Sequence, residues 1–396
     1  MNPPIPLHEA QARLLDLVRP TATEAVRCED ALGRYLADPL IAKRTQPAAD
    51  LSAMDGFAVC GEAPWKVIGE SRCGAPFGGF VSSGEATRIS TGAHVPEGAD
   101  SIVLIEDAEV NTVDSLTATE KPTPGRHIRR AGSDFEIGAQ LLDAGVRITP
   151  ARIALARMAG HAELTVHMAP KVAILECGDE LSYTPDMCNF DEIPATNGSM
   201  LNAMISLENI TAATVPPVPD NLDSLAAAID AHADHELLVI SGGASVGDHD
   251  LVRPALKKLG ATIDFWRVAM KPGKPLMVAT RGKQIILGLP GNPVSSFVTA
   301  FLFMLPALRK MLSATDCLPR PIDIPCTEAL PAVGPRRTFM RATLADGQVT
   351  PIAQQGSGAL GALAEANVLI ERAEHCDETR AGTSVPVYLI ENGGIA

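Results

Sequence analysis

The sequence predicts a multidomain protein that combines an α/β domain with helical and β domains. Three observations lead to this fold class. The chain has 396 residues, more than one hydrophobic core usually supports. Strand, loop and helix patterns alternate from about Lys171, and short β-like runs occupy residues 41–137 and the region beyond residue 335. We therefore expect a mostly parallel sheet domain accompanied by smaller domains.

The first 170 residues indicate a helical part interrupted by a β domain. Apolar residues recur at helical spacing from Leu7 to about Asp38, and again at residues 149–158 before Gly160. Between them, runs such as 57–59 and 101–105 are bounded by Gly, Pro and Asp, which is typical of short strands. The two helical segments can pack together, with the β domain inserted between them.

Continuous apolar runs at residues 172–175, 237–240 and 284–287 are each followed by a polar or Gly-rich loop. Such runs are typical of buried parallel strands with helices on both faces. Ligands in these sheets bind at the carboxyl ends of the strands. Beyond a helix that ends near Leu312, five prolines between residues 319 and 335 and then alternating runs indicate a linker and a small terminal β domain.

Composition excludes several classes of protein. The formal net charge of −14 disfavours a nucleic-acid-coating surface, and a small anionic ligand would need cations gathered locally. The cysteines form no CxxC pair and no cluster at metal-ligand spacing, so we expect reduced thiols in a cytoplasmic protein. The first residues lack a signal-peptide pattern, and no eighteen apolar residues run uninterrupted, which disfavours secretion and membrane spanning.

The loop 241–247, SGGASVG, follows a predicted strand and precedes a helical run from Asp248 to Leu259. Glycines allow close backbone approach, and a helix N-terminus attracts anions, so the loop is a candidate phosphate cradle. A tight strand-to-helix turn is the alternative. Asp248 and Asp250 can complement the helix dipole or hold Mg²⁺.

Three cations follow a predicted strand, namely Arg267, Lys271 and Lys274. In an extended strand Arg267 and Lys271 would share a face, which would suit an oxyanion or pyrophosphate. A solvated strand edge protected by Lys and Pro explains the same residues equally well. The loop 288–293 also ends a strand, with Asn292 predicted as N-cap and Pro293 as the first helical residue.

Three carboxylates have both a functional and a structural interpretation. Glu180 follows the first strand of the parallel sheet and would face the same rim as the loops. Asp220 precedes a helix and is more often a cap. Asp55 alone is best explained as a turn residue.

The ordered set of motifs resembles the MoeA family, which includes the E domain of gephyrin. The resemblance covers essentially the whole chain, and the set is specific although each piece alone is weak. The motifs are SAMDGFAV (52–59), TGA (91–93), VPEGAD (95–100), IRRAGSD (128–134), GDEL (178–181), SGGASVG (241–247), KPGKP (271–275), GLPGNPVS (288–295) and QGSG (355–358).

The resemblance implies a fold of four domains. A helical domain is assembled from residues 1–40 and 139–168, with an inserted β domain at 41–138. An α/β molybdopterin-binding domain follows at 169–314, and a C-terminal β barrel at 315–396. It also implies an elongated homodimer in which the inserted domain of one chain faces the sheet domain of the other.

The same resemblance implies the reaction of a molybdopterin molybdenumtransferase. Adenylylated molybdopterin and molybdate bind with Mg²⁺, the phosphoanhydride is cleaved, molybdenum enters the dithiolene and AMP leaves. A molybdopterin adenylyltransferase is the implied donor of the substrate. Neither nucleic acid nor a membrane is an expected partner.

Site residues are implied by the matching motifs. The pterin-phosphate and cofactor positions are Ser241, Gly242, Gly243, Ser245, Gly247, Pro290, Gly291, Asn292, Pro293 and Ser295. Glu180 and Asp250 are implied for Mg²⁺ and nucleotide, Asp220 for the reaction, and Arg267, Lys271 and Lys274 for the anhydride and oxyanion. The partner chain would contribute Asp55, Thr91, Arg129 and Asp134.

Three positions depart from the family pattern. Ala195 stands where the family often has an acidic residue before Thr196-Asn197, and Asp220-Asn221 is less acidic than usual. Arg267 stands where Lys is also common, and the two cations are not interchangeable at a bidentate site. Two rival functions remain at this point: a pterin-binding scaffold without turnover, and a nucleotide-hydrolysing enzyme that shares only the sheet domain.

Overall fold

The computed structural model describes residues 3–112, 115–120, 122–243 and 251–394. In this part the chain is mixed α/β and β structure, as predicted. Its elements fall into a first segment, an inserted β region, a second segment that returns to the first, a sheet domain and a C-terminal barrel.

The first segment contains one helix followed by strands: α1 (Leu7–Leu17), β1 (Thr23–Arg27) and β2 (Leu40–Ile41), with a 3₁₀ turn at Cys28–Ala31. The prediction of helical structure from Leu7 to about Asp38 is therefore confirmed for α1 and wrong for the residues after it. Pro20 follows the helix closely, and side chains of β1 alternate between exposed and half-buried, as an extended strand requires.

The inserted region is built from short strands: β3 (Leu51–Ser52), β4 (Gly56–Val59), β5 (Trp65–Ser71), β6 (Glu85–Ile89), β7 (Ser101–Leu104), β8 (Ala108–Thr112), β9 (Ser115–Ala118) and β10 (Ile128–Arg129). Six of them form a sheet in the order β7-β4-β6-β5-β9-β8, and β10 pairs with β3. The predicted strands at 57–59 and 101–105 are confirmed as β4 and β7.

The second segment contains β11 (Gln140–Leu142), α2 (Pro150–Met158) and β12 (Glu163–His167). The hydroxyl of Thr149 caps α2 by accepting from the Arg152 N–H, and Pro150 opens the helix. β12 pairs antiparallel with β1, and β11 with β2. Residues of both segments, among them Cys28, Leu36 and Val166, share one hydrophobic cluster. The two segments thus form one unit beside the inserted strands.

Between residues 169 and 314 the described residues form nine strands: β13 (Val172–Glu176), β14 (Leu181–Ser182), β15 (Ile193–Pro194), β16 (Ala212–Thr214), β17 (Leu237–Ser241), β18 (Thr262–Trp266), β19 (Met270–Lys271), β20 (Met277–Arg281) and β21 (Gln284–Leu289). The main sheet has the order β16-β13-β17-β21-β20-β18. Its first four strands are parallel, β20 pairs antiparallel with β21, and β18 pairs antiparallel with β20. The predicted strands at 172–175, 237–240 and 284–287 are confirmed.

Helices cover both faces of this sheet: α3 (Asn197–Ser206), α4 (Leu222–Asp230), α5 (Val252–Lys258), α6 (Pro293–Thr299) and α7 (Leu305–Met311). One face packs in a large cluster with α1, α3 and the helices after β21. The other face packs against α4 and α5. β17 and β21 are buried along their whole length, which explains their continuous apolar sequence.

The stretch Pro293–Met311 is long and apolar enough to cross a membrane, but 89% of its apolar window is buried inside the protein. It is the central helix of the core. Between α6 and α7 the helix adopts a π turn at Ala300–Met304, just before Pro306. The Leu302 carbonyl, four residues before Pro306, accepts a hydrogen bond from Gln11 Nε2 of α1 at 3.0 Å. Pro306 has no N–H to offer that carbonyl, and Gln11 supplies a side-chain donor to it.

The C-terminal strands close into a barrel: β22 (Ile322–Pro325), β23 (Arg337–Ala345), β24 (Gln348–Pro351), β25 (Val368–Arg372) and β26 (Ser384–Leu389), with helix α8 (Leu360–Glu365). The strands pair in the order β24-β23-β25-β26-β22. A β-bridge between Cys326, directly after β22, and Val349 of β24 joins the two edges of this sheet. β19 adds to β23 in parallel, which fixes the barrel against the sheet domain.

Candidate active site

The carboxyl ends of β13, β17 and β21 meet at one rim because these strands are parallel neighbours. A buried asparagine joins their loops. Asn197, at the start of α3, donates from Nδ2 to Ser241 Oγ (2.9 Å) and to the Gly291 carbonyl (2.7 Å). Ser241 ends β17, and Gly291 follows β21. This network fixes the two predicted phosphate loops relative to each other.

A second buried group, Glu176, holds the start of α3. The carboxylate accepts the Asn197 N–H at 3.0 Å, whereas the N-cap residue Thr196 makes no side-chain cap bond. A Cβ at position 198 would lie 2.4 Å from Glu176 Oε2, so a side chain at Gly198 would displace this carboxylate. Burial raises the pKa of Glu176, and hydrogen bonds from the Gly198 and Asn197 amides only partly offset this. The carboxylate takes the place of the missing cap, at an electrostatic cost.

The glycine loop approaches the end of β13 closely. Gly242 has a φ of +96°, and a Cβ there would lie 2.4 Å from the Cys177 carbonyl oxygen, so only glycine fits. Gly242 is buried at the rim, with its N–H bonded to the Leu289 carbonyl at 3.3 Å, and Gly243 beside it is half-buried. Three further residues predicted for this loop, Ser245, Gly247 and Asp250, lie outside the described residues.

The β21–α6 junction has the predicted positions but not the predicted cap. Asn292 is the N-cap residue and Pro293 opens α6, yet the Asn292 side chain makes no cap bond. Its Oδ1 is buried without a hydrogen-bond partner, as is Asn197 Oδ1. Pro290 and Ser295 are also buried at this junction. The loop and α3 thus each contribute one buried amide oxygen whose bonding capacity is unused.

Carboxylates gather where β13 and β16 end. Asp179 Oδ1 accepts the Asp220 N–H at 2.9 Å, and Glu180 lies next to Asp179, exposed. The interpretation of Asp220 as the helix cap is wrong, because Asn221 Oδ1 accepts from the Ser224 N–H and caps α4 instead. In the described part of the chain no three Asp, Glu, His or Cys side chains converge as a metal site.

Cys177 lies between these carboxylates and the glycine loop. Burial, with Asp220 and Glu176 nearby, raises the pKa of this thiol to about 12. The thiol therefore stays protonated near neutral pH.

Two of the three predicted cations line a cavity of about 760 Å³ between the sheet domain and the barrel. Lys271, Lys274 and Ser295 form one side, and barrel residues form the other, among them Arg336, Thr338, Gln355 and Ser357. Because Ser295 lies in the first turn of α6, the cavity adjoins the strand-end rim. In a protein with a net charge of −14 this is a local concentration of positive charge.

Arg267 does not join this cavity, and its predicted shared face with Lys271 is wrong. Arg267 has a φ of +77° in the left-handed region, which ends β18 at Trp266, and Lys271 belongs to β19 in the barrel's sheet. The guanidinium of Arg267 lies 4.2 Å from the centroid of the Trp266 ring, and the guanidinium of Arg253 lies 4.4 Å from the same centroid. Stacking on the tryptophan accounts for its position.

The inserted region brings together two of its four predicted residues. Asp55 Oδ1 accepts the Thr91 N–H at 2.7 Å, and both side chains are exposed. Arg129 pairs with Leu51 in β10–β3, and the next residue, Arg130, bonds Asp50 at 2.5 Å. Asp134 is exposed and its N–H bonds the Gln46 carbonyl. These hydrogen bonds stay within the inserted region.

Sequence reasoning gave no role to the barrel side of the cavity. The QGSG motif at 355–358 was available as a signal, and it supplies Gln355 and Ser357. Arg336 and Thr338 carry no such signal, because they become neighbours of Lys271 only when β19 pairs with β23.

Comparison with known families accounts for almost the whole chain. The MoeA N-terminal region (domains I and II) matches residues 5–160, a probable molybdopterin-binding domain matches 173–310, and the MoeA C-terminal region (domain IV) matches 323–390. A molybdopterin molybdenumtransferase of Bacillus subtilis is 33% identical over 98% of this chain and 95% of its own. The chain belongs to the MoeA family.

Two further relatives agree with this membership. A molybdopterin molybdenumtransferase of Haemophilus influenzae is 34% identical over 77% of either chain. The crystal structure of a MoeA protein from Pyrococcus horikosii superposes with a TM-score of 0.82 at 28% identity, covering 98% of this chain and 99% of the other. The MoeA fold thus extends over all the domains that build the rim and the cavity.

Proposed function

We propose that this chain inserts molybdenum from molybdate into adenylylated molybdopterin and releases AMP. The observation that carries this proposal is the cavity that holds Lys271, Lys274 and Arg336 beside the strand-end loops. It offers cations for an oxyanion next to backbone suited to a phosphate, within an acidic protein. The names of the relatives support the same reaction.

In the proposed mechanism the chain acts by positioning and charge neutralisation. Backbone at Gly242, Gly243 and Gly291 holds the pterin phosphate, and Asn197 keeps these loops together. Lys271 and Lys274 hold molybdate near the dithiolene and the anhydride. Cleavage of a phosphoanhydride requires no protein nucleophile when both anions are oriented and their charge is offset.

Mg²⁺ is part of this proposal. Glu180, exposed at the rim, carries a carboxylate of the donor type that Mg²⁺ prefers, and one or two carboxylates suffice when phosphates complete the shell. Asp250, the other predicted ligand, lies outside the described residues. Bound Mg²⁺ would offset negative charge on the anhydride.

We also propose a cytoplasmic homodimer with a shared site. Asp55 and Thr91 are exposed, and the Asp55 carboxylate accepts a hydrogen bond from the Thr91 N–H. This bond lies within the inserted region. A second chain can therefore present them to the rim, with Arg129 and Asp134 on the same domain. The substrate would come from a molybdopterin adenylyltransferase, because only an adenylylated pterin carries the anhydride.

The test is to incubate the purified protein with adenylylated molybdopterin and Mg²⁺, with and without molybdate, and to measure AMP. We expect release that depends on molybdate. A binding scaffold without turnover would release none, and a nucleotide hydrolase would release AMP equally well without molybdate. Either of these results would refute the proposal.

A further inference from the structure

The negative charge of this protein is concentrated in one segment of the sheet domain. Residues 172–252 contain fourteen Asp and Glu and neither Lys nor Arg, a charge equal to the formal net charge of −14 of the whole chain. The other residues together are therefore neutral. Cations from outside this segment balance part of its charge, in the ion pairs Lys171–Asp234, Lys258–Asp223, Arg281–Asp230 and Arg309–Glu208.

Four exposed acids of this segment stay without such compensation. In the described part of the chain, no ion pair is formed by Asp179, Glu180, Asp186 or Asp191. These four residues lie within thirteen positions of each other, just after β13. The uncompensated charge of the segment is thus gathered at the strand-end rim.

These acids lie on and beside one loop, which we call the rim loop (residues 181–194). The short strands β14 and β15 pair at its base, and the Ile193 N–H donates to the Glu180 carbonyl at 2.8 Å. Within the loop, the N–H and Nδ2 of Asn189 donate to Glu192 Oε2 at 2.8 and 3.0 Å. The loop therefore presents its side chains from a folded, hydrogen-bonded backbone.

The rim loop also exposes four large apolar side chains. Phe190 is fully exposed, and Tyr183, Met187 and Ile193 are each more than half exposed. Apolar groups that gather on a surface mark sites of contact with other molecules, and Tyr, Phe and Met are enriched at the cores of protein interfaces. Because acids flank these residues in the sequence, the loop combines apolar anchors with negative charge.

The charge of the rim loop limits what can cover it. The substrate in the proposed function is a polyanion, which uncompensated carboxylates repel, so the apolar side chains are not suited to the free substrate. The inserted region of a second chain is also acidic, because residues 41–138 carry fourteen Asp and Glu against nine Lys and Arg. The complementary partner is a protein with a basic surface.

We propose that the rim loop is the docking surface for the protein that delivers adenylylated molybdopterin. The inference rests on the proposed function. A protein that holds a phosphoanhydride must surround it with cations, so the opening of its own pterin site is basic. The rim loop follows Glu180, which the proposed function assigns to Mg²⁺ and nucleotide, and only the arriving substrate still carries the nucleotide. Docking would bring the basic opening of the donor to the rim.

The test supplies the same substrate in two forms, as free adenylylated molybdopterin and as its complex with the molybdopterin adenylyltransferase, and measures AMP release with Mg²⁺ and molybdate. Wild type should have a lower KM for the complex than for free substrate, and added salt should reduce this difference. Phe190→Ser removes an apolar anchor, so we expect the KM for the complex to rise about tenfold. The KM for free substrate and both kcat values should stay unchanged.

Asp191→Lys is a second variant that tests the charge of the loop. It should also raise only the KM for the complex, and most strongly at low salt, because screening weakens the repulsion that it introduces. The matched controls are Phe80→Ser and Glu378→Lys, an exposed aromatic residue and an exposed acid outside the sheet domain. Both controls should leave the two KM values unchanged.

Several results would overturn the inference. Equal KM values of wild type for the two forms would show that no docking assists delivery. If Phe190→Ser raises both KM values, the loop contacts the substrate itself, and if it raises neither, the loop has no part in delivery. Dissociation of the homodimer in Phe190→Ser, measured by light scattering, would show that a second copy covers the loop. Failure of wild type to release AMP from free substrate would instead refute the proposed function.

Discussion

At the residue scale, Lys271 distinguishes an anion site from an ordinary strand edge. It is exposed and lines the cavity together with Lys274 and Arg336. Lys271→Ala removes one charged hydrogen bond to the oxyanion, a loss of about 1.5–3 kcal/mol, so AMP release should fall roughly ten- to a hundredfold. The thermal midpoint should change little, because an exposed lysine contributes little to stability.

The control for this prediction is Lys283→Ala, an exposed lysine in the turn between β20 and β21, away from the rim. It should retain wild-type activity. If Lys271 only protects a strand edge, Lys271→Ala will aggregate more readily and keep full activity. Undiminished AMP release at low molybdate would refute the oxyanion role.

Glu176 gives a prediction about pH. Burial raises the pKa of its carboxyl group, so ionisation costs stability in the folded protein. The protonated carboxyl group contributes to the free energy of unfolding at pH values below the ordinary glutamate pKa. This contribution is lost as the pH rises through the higher pKa of the folded protein. The unfolding free energy of wild type minus that of Glu176→Gln should therefore fall as pH rises from about 4.5 to 7. Urea denaturation at several pH values measures it.

The exposed Glu378→Gln serves as the matched control, and its difference from wild type should stay flat across the same range. A difference for Glu176→Gln that grows with pH would mean that the two amide hydrogen bonds outweigh the burial of the carboxylate. The role assigned to Glu176 at the start of α3 would then need revision.

Single residues show where sequence reasoning reached its limit. The position of Asn292 at the start of α6 was predictable because it follows the buried strand β21. The roles of Lys271 and Lys274 stay predictions. The position of Arg267 was not predictable, because a left-handed backbone conformation turns it onto Trp266. Glu176, the last residue of β13, was missed for two reasons. Its hydrogen-bond partner Asn197 is distant in the sequence, and the apolar residues before Glu176 indicate only a buried strand.

At the element scale, the central helix Pro293–Met311 depends on a side chain from α1. Gln11 donates to the Leu302 carbonyl, which cannot receive a hydrogen bond from Pro306. Gln11→Leu removes this buried hydrogen bond, so we expect a loss of about 1 kcal/mol in the free energy of unfolding. The urea midpoint measures it. Exposed Gln348→Leu is the control, and equal stability of the two variants would contradict the assigned bond.

The elements themselves were predictable to unequal degrees. β13, β17 and β21 could be placed because strands buried on both faces are continuously apolar. β1 was mistaken for helix because five alternating residues are a weak signal, and its partner β12 lies far along the chain. The closure of the barrel through Cys326 and Val349 depends on contacts that no local pattern encodes.

At the scale of the whole molecule, the proposed shared site predicts complementation between inactive chains. Light scattering should first give twice the 41.6 kDa chain mass. Asp55→Ala and Lys274→Ala chains are then mixed. Each should be inactive alone, and a mixed dimer should regain activity, because one of its two sites combines unmutated domains from both chains. If light scattering shows a monomer, or if verified mixed dimers do not regain activity, Asp55 acts in the site of its own chain or in no site.

If anhydride cleavage and molybdenum insertion are one coupled reaction in this chain, AMP and molybdenum-loaded pterin must form together. The most direct measurement is the ratio of AMP released to molybdenum bound to the pterin, taken from the same sample during a single turnover with Mg²⁺ and limiting molybdate. We expect a ratio close to one, with both products absent when molybdate is omitted. Release of AMP in excess of the molybdenum incorporated, or at the same rate without molybdate, would contradict the coupling.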